Sequence, residues 1–238
     1  MKPLLSKIAK PGCTLAAALA VGVLGLSSAQ AQTTLVTTRA GLAGNDFVNW
    51  GTLGSNNTNV ASPFNILSNN GVSLNVQDSG GTFERRDQGI GWGGNFAAGD
   101  PLIWTRGLNG PVTIALGTLE AGIGAQVQQD QFGAFNAQLA VFGAGNVLLN
   151  TFNVAGNSNS AGDNSAIFLG AVSNDGSAII DHIVYTIGTN DFAINRLDLK
   201  SGPISNNAVP EPGALALIAG VGVSGASFAM SRLRRRRK

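Results

Sequence analysis

The chain has 238 residues, with 15 Lys and Arg against 13 Asp and Glu, which gives a formal net charge of +2. Most of the cations lie at the two ends, whereas residues 32–208 hold 6 basic and 12 acidic side chains and no cysteine. An acidic body with few, scattered arginines excludes nucleic acid as a partner. The absence of cysteine from this body excludes disulfides and thiol catalysis there.

The first predicted element is a secretory signal peptide over residues 1–31. Its basic n-region consists of Lys2, Lys7 and Lys10. An apolar stretch at 15–26 follows, and Ala29 and Ala31 are the small residues of a cleavage site. We expect cleavage after Ala31, so that the exported protein begins at Gln32.

Residues 32–200 are predicted to form one all-β domain, an antiparallel β-sandwich of jelly-roll-like type. Short runs suit strands, such as the alternating VSLNV from Val72 and VTIAL from Val112. Two longer runs flank the turn-forming GAGN at 143–146, which indicates a hairpin. Further tight turns are predicted at Asn70-Gly71, Asn109-Gly110 and Asp175-Gly176. No segment has a long helical period, which favours a sandwich over a helical fold.

The last predicted strand, DFAINRLDL, breaks its own alternation. Its apolar residues are Phe192, Ile194, Leu197 and Leu199. The first two share one parity and the last two the other, so a regular strand would point them to opposite faces of the sheet. A β-bulge near Asn195 and Arg196 would return all four to one face. We expect the domain to end near Lys200.

A polar linker is predicted over 201–208, and beyond it the sequence is typical of a membrane anchor. Residues 213–230 carry no charge, and as a helix they would span about 27 Å, barely enough for a hydrocarbon core about 30 Å thick. The stop-transfer cluster that follows consists of Arg232, Arg234, Arg235, Arg236, Arg237 and Lys238. Because such cations favour the cytoplasmic side, we expect one transmembrane helix with a cytoplasmic basic tail.

Directly before this span lies the tetrapeptide Val209-Pro210-Glu211-Pro212. Each proline fixes its own φ and disfavours helix in the preceding residue, so we expect an extended, accessible strip. The motif, the span and the arginine cluster, in this order over about the last 30 residues, resemble the PEP-CTERM sorting signal of Gram-negative bacteria. The resemblance implies processing by exosortase, a membrane-embedded cysteine protease, in a host that makes exopolysaccharide. It also implies a transient single pass through the inner membrane, followed by release to the cell surface or the medium.

Few residues of the body suggest catalysis. GIGWGG at 89–94 spells a dinucleotide-binding string, but no helix follows it, so we predict a glycine-rich loop and no cofactor. His182 is the only histidine and is predicted to be structural on a strand, which excludes a histidine-rich zinc centre. The carboxylates considered for glycoside hydrolysis are Glu84, Asp87, Asp100 and Glu120. Nothing in the sequence selects a pair of them, so we expect no enzymatic activity.

Two binding hypotheses stay open for the body. The first is saccharide binding, because Trp50, Trp92 and Trp104 lie in glycine-rich contexts where an exposed indole stacks on a sugar ring; alternatively, all three are core or turn-covering residues. The second is calcium at NSNSAGDN, 157–164, which offers oxygen ligands without the spacing of an EF-hand.

The body also resembles, loosely, the secreted β-sandwich modules that precede this sorting signal, in segments such as NDFVNWGTLG and AIFLGAVSNDG. We therefore predict a non-enzymatic exported protein of the cell surface or extracellular matrix, whose body has an unknown ligand. An exopolysaccharide-binding module is the alternative, and a secreted hydrolase is a third hypothesis.

Overall fold

The computed structural model of the chain describes residues 32–107, 110–188 and 191–203. Several predictions lie outside these residues: the signal peptide with its cleavage site at Ala29 and Ala31, the turn residue Asn109, most of the linker, and the sorting signal 209–238 with its span and arginine cluster. Within the described ranges, no helix has the length and apolar content needed to cross a membrane.

The described residues form two antiparallel sheets. Sheet A contains β1 (Thr33–Val36), β2 (Asp46–Val48), β3 (Thr58–Ala61), β6 (Thr82–Asp87), β7 (Pro101–Trp104), β9 (Gly122–Gln129), β12 (Ile167–Ser173), β14 (Phe192–Ile194) and β15 (Leu197–Lys200). Sheet B contains β4 (Phe64–Leu67), β5 (Ser73–Asp78), β8 (Val112–Glu120), β10 (Gly133–Gly143), β11 (Val147–Ser158) and β13 (Ile180–Ile187). A single helical turn, α1 (Arg39–Leu42), and 3-10 turns at Trp50–Leu53 and Ala144–Asn146 complete the described elements.

The strand order places β9 at the centre of sheet A. Sheet A runs β1-β12-β9-β14-β7-β6-β3, and β15 joins it between β2 and β9. Sheet B runs β11-β10-β13-β8-β5-β4. Because β9 pairs with β12 on one side and with β14 and then β15 on the other, it is the central strand of sheet A.

One apolar core lies between the two sheets. In β5, for example, Leu74 and Val76 are buried and Asn75 between them is exposed, as the alternation of the sequence predicts. The core cluster includes Val127 and Leu169 of sheet A and Leu139 and Ile183 of sheet B. Tyr185 of sheet B also donates its hydroxyl to the carbonyl of Leu169 in sheet A, at 2.7 Å. The prediction of an all-β body made of antiparallel sheets is confirmed.

The predicted hairpin and bulge are both present. β10 and β11 pair along their lengths and are joined through Ala144–Asn146, where Gly145 has a φ of 69°. At the end of the chain, Ile194 pairs with Val127 and Asp198 with Gly124. Four residues of one strand therefore match three of β9, and the extra residue is a β-bulge. All four apolar residues predicted to face inwards belong to the main core.

Both ends of the described body meet at the turn between β12 and β13. The amide of Asn174 donates to the carbonyl of Gln32 at 3.0 Å, and that of Ala178 donates to the carbonyl of Pro203 at 2.7 Å. β9 starts at this end, where Gly122 pairs with Lys200. β9 has eight residues, so at about 3.3 Å per residue its far end is roughly 25 Å away.

Candidate binding site on the outer face of sheet A

Two connections fold back over the outer face of sheet A. They are residues 88–100, between β6 and β7, and residues 159–166, between β11 and β12. Beneath them lies a second apolar cluster, made of Trp92, Phe96, Leu102, Ala166 and Ala193, with Trp104 packed against it. The GIGWGG string at 89–94 belongs to the first connection, which leads into β7 without a helix. The prediction of a glycine-rich loop there is confirmed.

Amide side chains hold both connections on the sheet. Gln128 of β9 is only 1% exposed, and its Nε2 donates to Asn95 Oδ1 at 2.8 Å and to Ser158 Oγ at 2.6 Å. The amide of Asn95 donates to Gln128 Oε1 at 2.7 Å, and its Nδ2 donates to Asn159 Oδ1 at 2.8 Å. Because these groups are satisfied mutually, the network fixes the loops in one arrangement.

The segment proposed for calcium uses its oxygens within this network. Asn159 Oδ1 also accepts from the amide of Ala161 at 2.8 Å, and Asp163 Oδ1 accepts from Ser165 Oγ at 2.6 Å. The bonds from Ser165 lower the pKa of Asp163. Among the described residues, no group of three or more His, Asp and Glu side chains is arranged to hold a metal ion. The local structure of 157–164 is explained by hydrogen bonds inside the loop.

A small depression opens beside these loops, at the end of sheet A far from Gln32 and Pro203. It has a volume of about 140 Å³ and is lined by Arg86, Gly91, Trp92, Gly93, Trp104 and Asp130. We call it the tryptophan depression. The ring centroids of Trp92 and Trp104 are 6.3 Å apart and the planes meet at 56°. The guanidinium of Arg86 lies 4.7 Å from the centre of the Trp104 ring, in a cation–π contact.

The indole N–H groups of Trp92 and Trp104 are buried, and neither has a hydrogen-bond partner among the described residues. Trp50 behaves differently, because its Nε1 donates to the carbonyl of Asn195 at 2.9 Å inside the main core. A buried donor without a partner costs about 1–3 kcal/mol. Trp92 and Trp104 both line the depression, whereas their N–H atoms lie below its surface.

Charged groups surround the tryptophans. Arg86 holds Glu84 in an ion pair, with Nε 2.6 Å from Oε1, and donates Nη1 to the carbonyl of Gly91 at 2.7 Å. Asp130 lies at the rim, where partial burial and then the neighbouring Asp191 raise its pKa and Arg86 opposes them. The depression therefore offers a fixed cation and a carboxylate beside two aromatic rings.

Two exposed apolar side chains flank the depression in sequence. Ile90, next to Gly91, is 82% exposed, and Phe132, two residues after Asp130, is 58% exposed. Neither residue is among those that line the depression, and single exposed apolar side chains are common on protein surfaces.

A second depression is larger, about 430 Å³, and lies around Arg39. Its polar groups are already paired: Arg39 contacts Asp198, which also bonds Arg196 Nε at 3.0 Å, and Gln126 Nε2 donates to Asn164 Oδ1 at 3.0 Å. Burial raises the pKa of Asp198 against the effect of the two guanidiniums. None of the residues that line this second depression is a tryptophan or has a buried side-chain atom without a partner, so we favour the smaller site.

The three tryptophans of the saccharide hypothesis have different environments. Trp50 is fully buried in the main core, so its suggested role as an exposed sugar-stacking residue was wrong. Trp92 is buried in the second cluster, and Trp104 is half-buried. Only the last two are brought together in a depression. Sequence reasoning missed Arg86 of β6 and Asp130, which follows β9; they are far apart in the chain and belong to no motif.

The other candidate residues have local partners. His182 lies on β13, as predicted, with its ring stacked on Phe142 at 4.5 Å. Asp87 pairs with Arg85 at 2.5 Å. Asp100 accepts from Asn195 Nδ2 at 2.7 Å. Glu120 is buried at the end of β8, where burial raises its pKa. None of these three carboxylates lines the tryptophan depression, and Glu84 does not line it either.

Comparison with known proteins adds little to this picture. No family model matches the chain, and no curated protein matches it. CsCBM6-3 of Clostridium stercorarium, solved with cellobiose, aligns at 12% identity and a TM-score of 0.30 over 63% of this chain and 98% of its own. A DUF4465 family protein of Bacteroides caccae aligns at 10% identity and a TM-score of 0.32, over 62% of this chain and 98% of its own. The third is a glycoside hydrolase family 43 arabinoxylan arabinofuranohydrolase of Bacillus subtilis, solved with cellotetraose. It aligns at 11% identity and a TM-score of 0.27, over 65% of this chain and 43% of its own. At these TM-scores, the likeness says nothing about what this chain binds.

Proposed function

We propose that the body of this exported protein binds a saccharide, of the kind found in exopolysaccharide, in the tryptophan depression, and that it has no enzymatic activity. The two tryptophan rings that meet beside Arg86 and Asp130 in one depression carry the proposal. The rings supply apolar faces for a sugar, and Arg86 and Asp130 supply a donor and an acceptor for its hydroxyl groups. At about 140 Å³, the depression is smaller than the roughly 300–1,000 Å³ of pockets that enclose whole ligands. It suits one residue of a longer chain.

Export and sorting are a further part of the proposal. The signal peptide is removed after Ala31, and the body is held by the span 213–230 with its basic tail in the cytoplasm. Exosortase then processes the strip Pro210-Glu211-Pro212, and the protein reaches the cell surface or the extracellular matrix. These steps rest on the sequence patterns at the two ends. The jelly-roll-like arrangement of the body is likewise a proposal.

The geometry of the body supports this combination. Pro203, the last described residue, lies at the end of sheet A where β9 begins, and Asp130 follows the other end of β9. A tether that leaves from Pro203 is therefore attached roughly 25 Å from the depression along the strand. A body held at a membrane by this end would present the depression away from the bilayer.

Trp104→Ala should weaken saccharide binding at least tenfold, because it removes one of the two rings and the surface on which Arg86 rests. Phe142→Ala is the matched control, since Phe142 is also a half-buried aromatic residue but lies on β10 of sheet B. Titration calorimetry with exopolysaccharide from the expressing host, and a glycan array, would measure both. Equal affinities for the two variants, each folded by circular dichroism, would exclude the depression as the site.

A further inference from the structure

β11 differs from the other described edge strands. It is the outermost strand of sheet B and pairs with β10 alone. It has 12 residues, whereas the edge strands β1, β2, β3 and β4 have three or four. Short strands are one means by which proteins protect a sheet edge from further pairing, and a proline, as at Pro63 directly before β4, is another. β11 has neither protection.

The sequence of β11 also lacks the charges that discourage pairing. VLLNTFNVAGNS contains no charged residue and no proline, and the nearest charged residues along the chain are Asp130 and Asp163. Natural edge strands commonly carry lysine to repel a second strand. A long edge without charge is suited to pair with another strand.

At every second residue of β11, the backbone N–H and C=O groups point away from β10. The amide of Thr151 donates to Asn150 Oδ1 at 2.8 Å rather than to β10. Because these groups alternate in direction along an antiparallel strand, those of Asn153 and Ala155 also point outwards. No hydrogen bond from another described residue reaches them. Asn150 Nδ2 donates to the carbonyl of Thr33 on β1 at 3.0 Å, so the open edge begins after it and covers 151–157.

The core behind this edge is incompletely covered. Phe152 and Val154 pack against the main core but are only partly buried. Their partners on β10, Leu139 and Ala137, are 0% exposed. A strand added beside β11 would cover the two partly buried side chains as well as pair the backbone groups.

We infer that residues 151–157 of β11 pair antiparallel with the same segment of a second copy of this chain, about a two-fold axis at Val154. This register places Phe152 opposite Gly156, so that a large side chain meets a small one, and it brings no charges together. A two-fold contact of this kind closes at the dimer. Seven residues from each copy bury less than the roughly 1,200 Å² of a stable interface, so dimerisation is weak and depends on concentration.

Sedimentation velocity of the purified full-length protein in one detergent, over a range of concentrations, tests this contact. Asn153→Lys places like charges close together across the axis and should raise the dimer dissociation constant at least tenfold. Gln77→Lys is the matched control, because Gln77 is exposed on β5 of the same sheet and far from the edge. Both variants keep the apolar segment 213–230, so any association through it is common to both. A monomer at every concentration, or equal effects of the two variants, would overturn the inference.

Disulfide trapping supplies a second readout that does not depend on a lysine variant folding well. In a Cys13→Ala background, a mixture of Asn153→Cys and Ala155→Cys chains should form an intermolecular disulfide, since the proposed register places these two positions opposite each other. Gln77→Cys chains should not cross-link. Equal yields from the mixture and from Gln77→Cys would show that the contact is random collision.

Discussion

Trp50→Ala should lower the free energy of unfolding of the body by about 3–5 kcal/mol, the usual cost of removing a large aromatic side chain from a core. Trp50 is fully buried, meets Phe64 edge-on at 6.5 Å between ring centroids, and donates its indole N–H to the carbonyl of Asn195 at the β-bulge. Its removal leaves both a cavity and an unpaired carbonyl, so the two losses add.

Two further variants separate these contributions. Trp50→Phe keeps a ring but still leaves the carbonyl of Asn195 unpaired, and should cost less than Trp50→Ala. Ile90→Ala, at an exposed position, should change the free energy of unfolding by no more than about 0.5 kcal/mol. Urea unfolding followed by far-UV circular dichroism measures all three variants. If Trp50→Ala were as stable as Ile90→Ala, the core between the sheets would be wrongly described.

Replacing Pro210, Glu211 and Pro212 with three alanines should abolish processing of the C-terminus and leave membrane insertion intact. The apolar span 213–230 and its basic cluster are unchanged, and these direct insertion. The prolines keep the strip out of the helix and extended for a protease cleft, whereas alanines favour helix. Loss of processing would therefore show that the strip is read by an enzyme.

A C-terminal tag followed by immunoblot, in a host with and without exosortase, measures this processing. Replacement of Ser205, Asn206 and Asn207 with three alanines is the matched control, since it changes the same number of residues shortly before the motif. The parent and this control should lose the tag only where the protease is present. If the motif variant lost its tag as fast as the parent, the strip would be a simple helix stop.

The body fold was predictable because strand alternation is a local property of the sequence. Leu74 and Val76 face inwards because apolar residues recur at every second position, and sheet pairing preserves that period. The bulge near Asn195 was also predictable, because burying apolar residues of both parities on one face requires an extra residue.

The binding site was less predictable, because it depends on which loops cover the sheet. Gln126 and Gln128 alternate with Val127, which reads as a strand with one face in solvent, yet both glutamines are buried. The connections 88–100 and 159–166 cover that face, and hydrogen bonds between residues far apart in sequence hold them there. No local sequence pattern indicates that a loop packs over a strand. The contact of Trp92 with Trp104 therefore became apparent only from the fold.

The most direct test of saccharide binding uses the tryptophans themselves, because the chain has three and each contributes one indole N–H signal. The protein, labelled with ¹⁵N-tryptophan, is titrated with oligosaccharides cut from the exopolysaccharide of its host, and the three signals are assigned with Trp→Phe variants. We predict saturable shifts for Trp92 and Trp104, which line the depression, and an unchanged signal for Trp50, which is bonded to Asn195 in the main core. Three signals that stay in place, or a shift confined to Trp50, would contradict it.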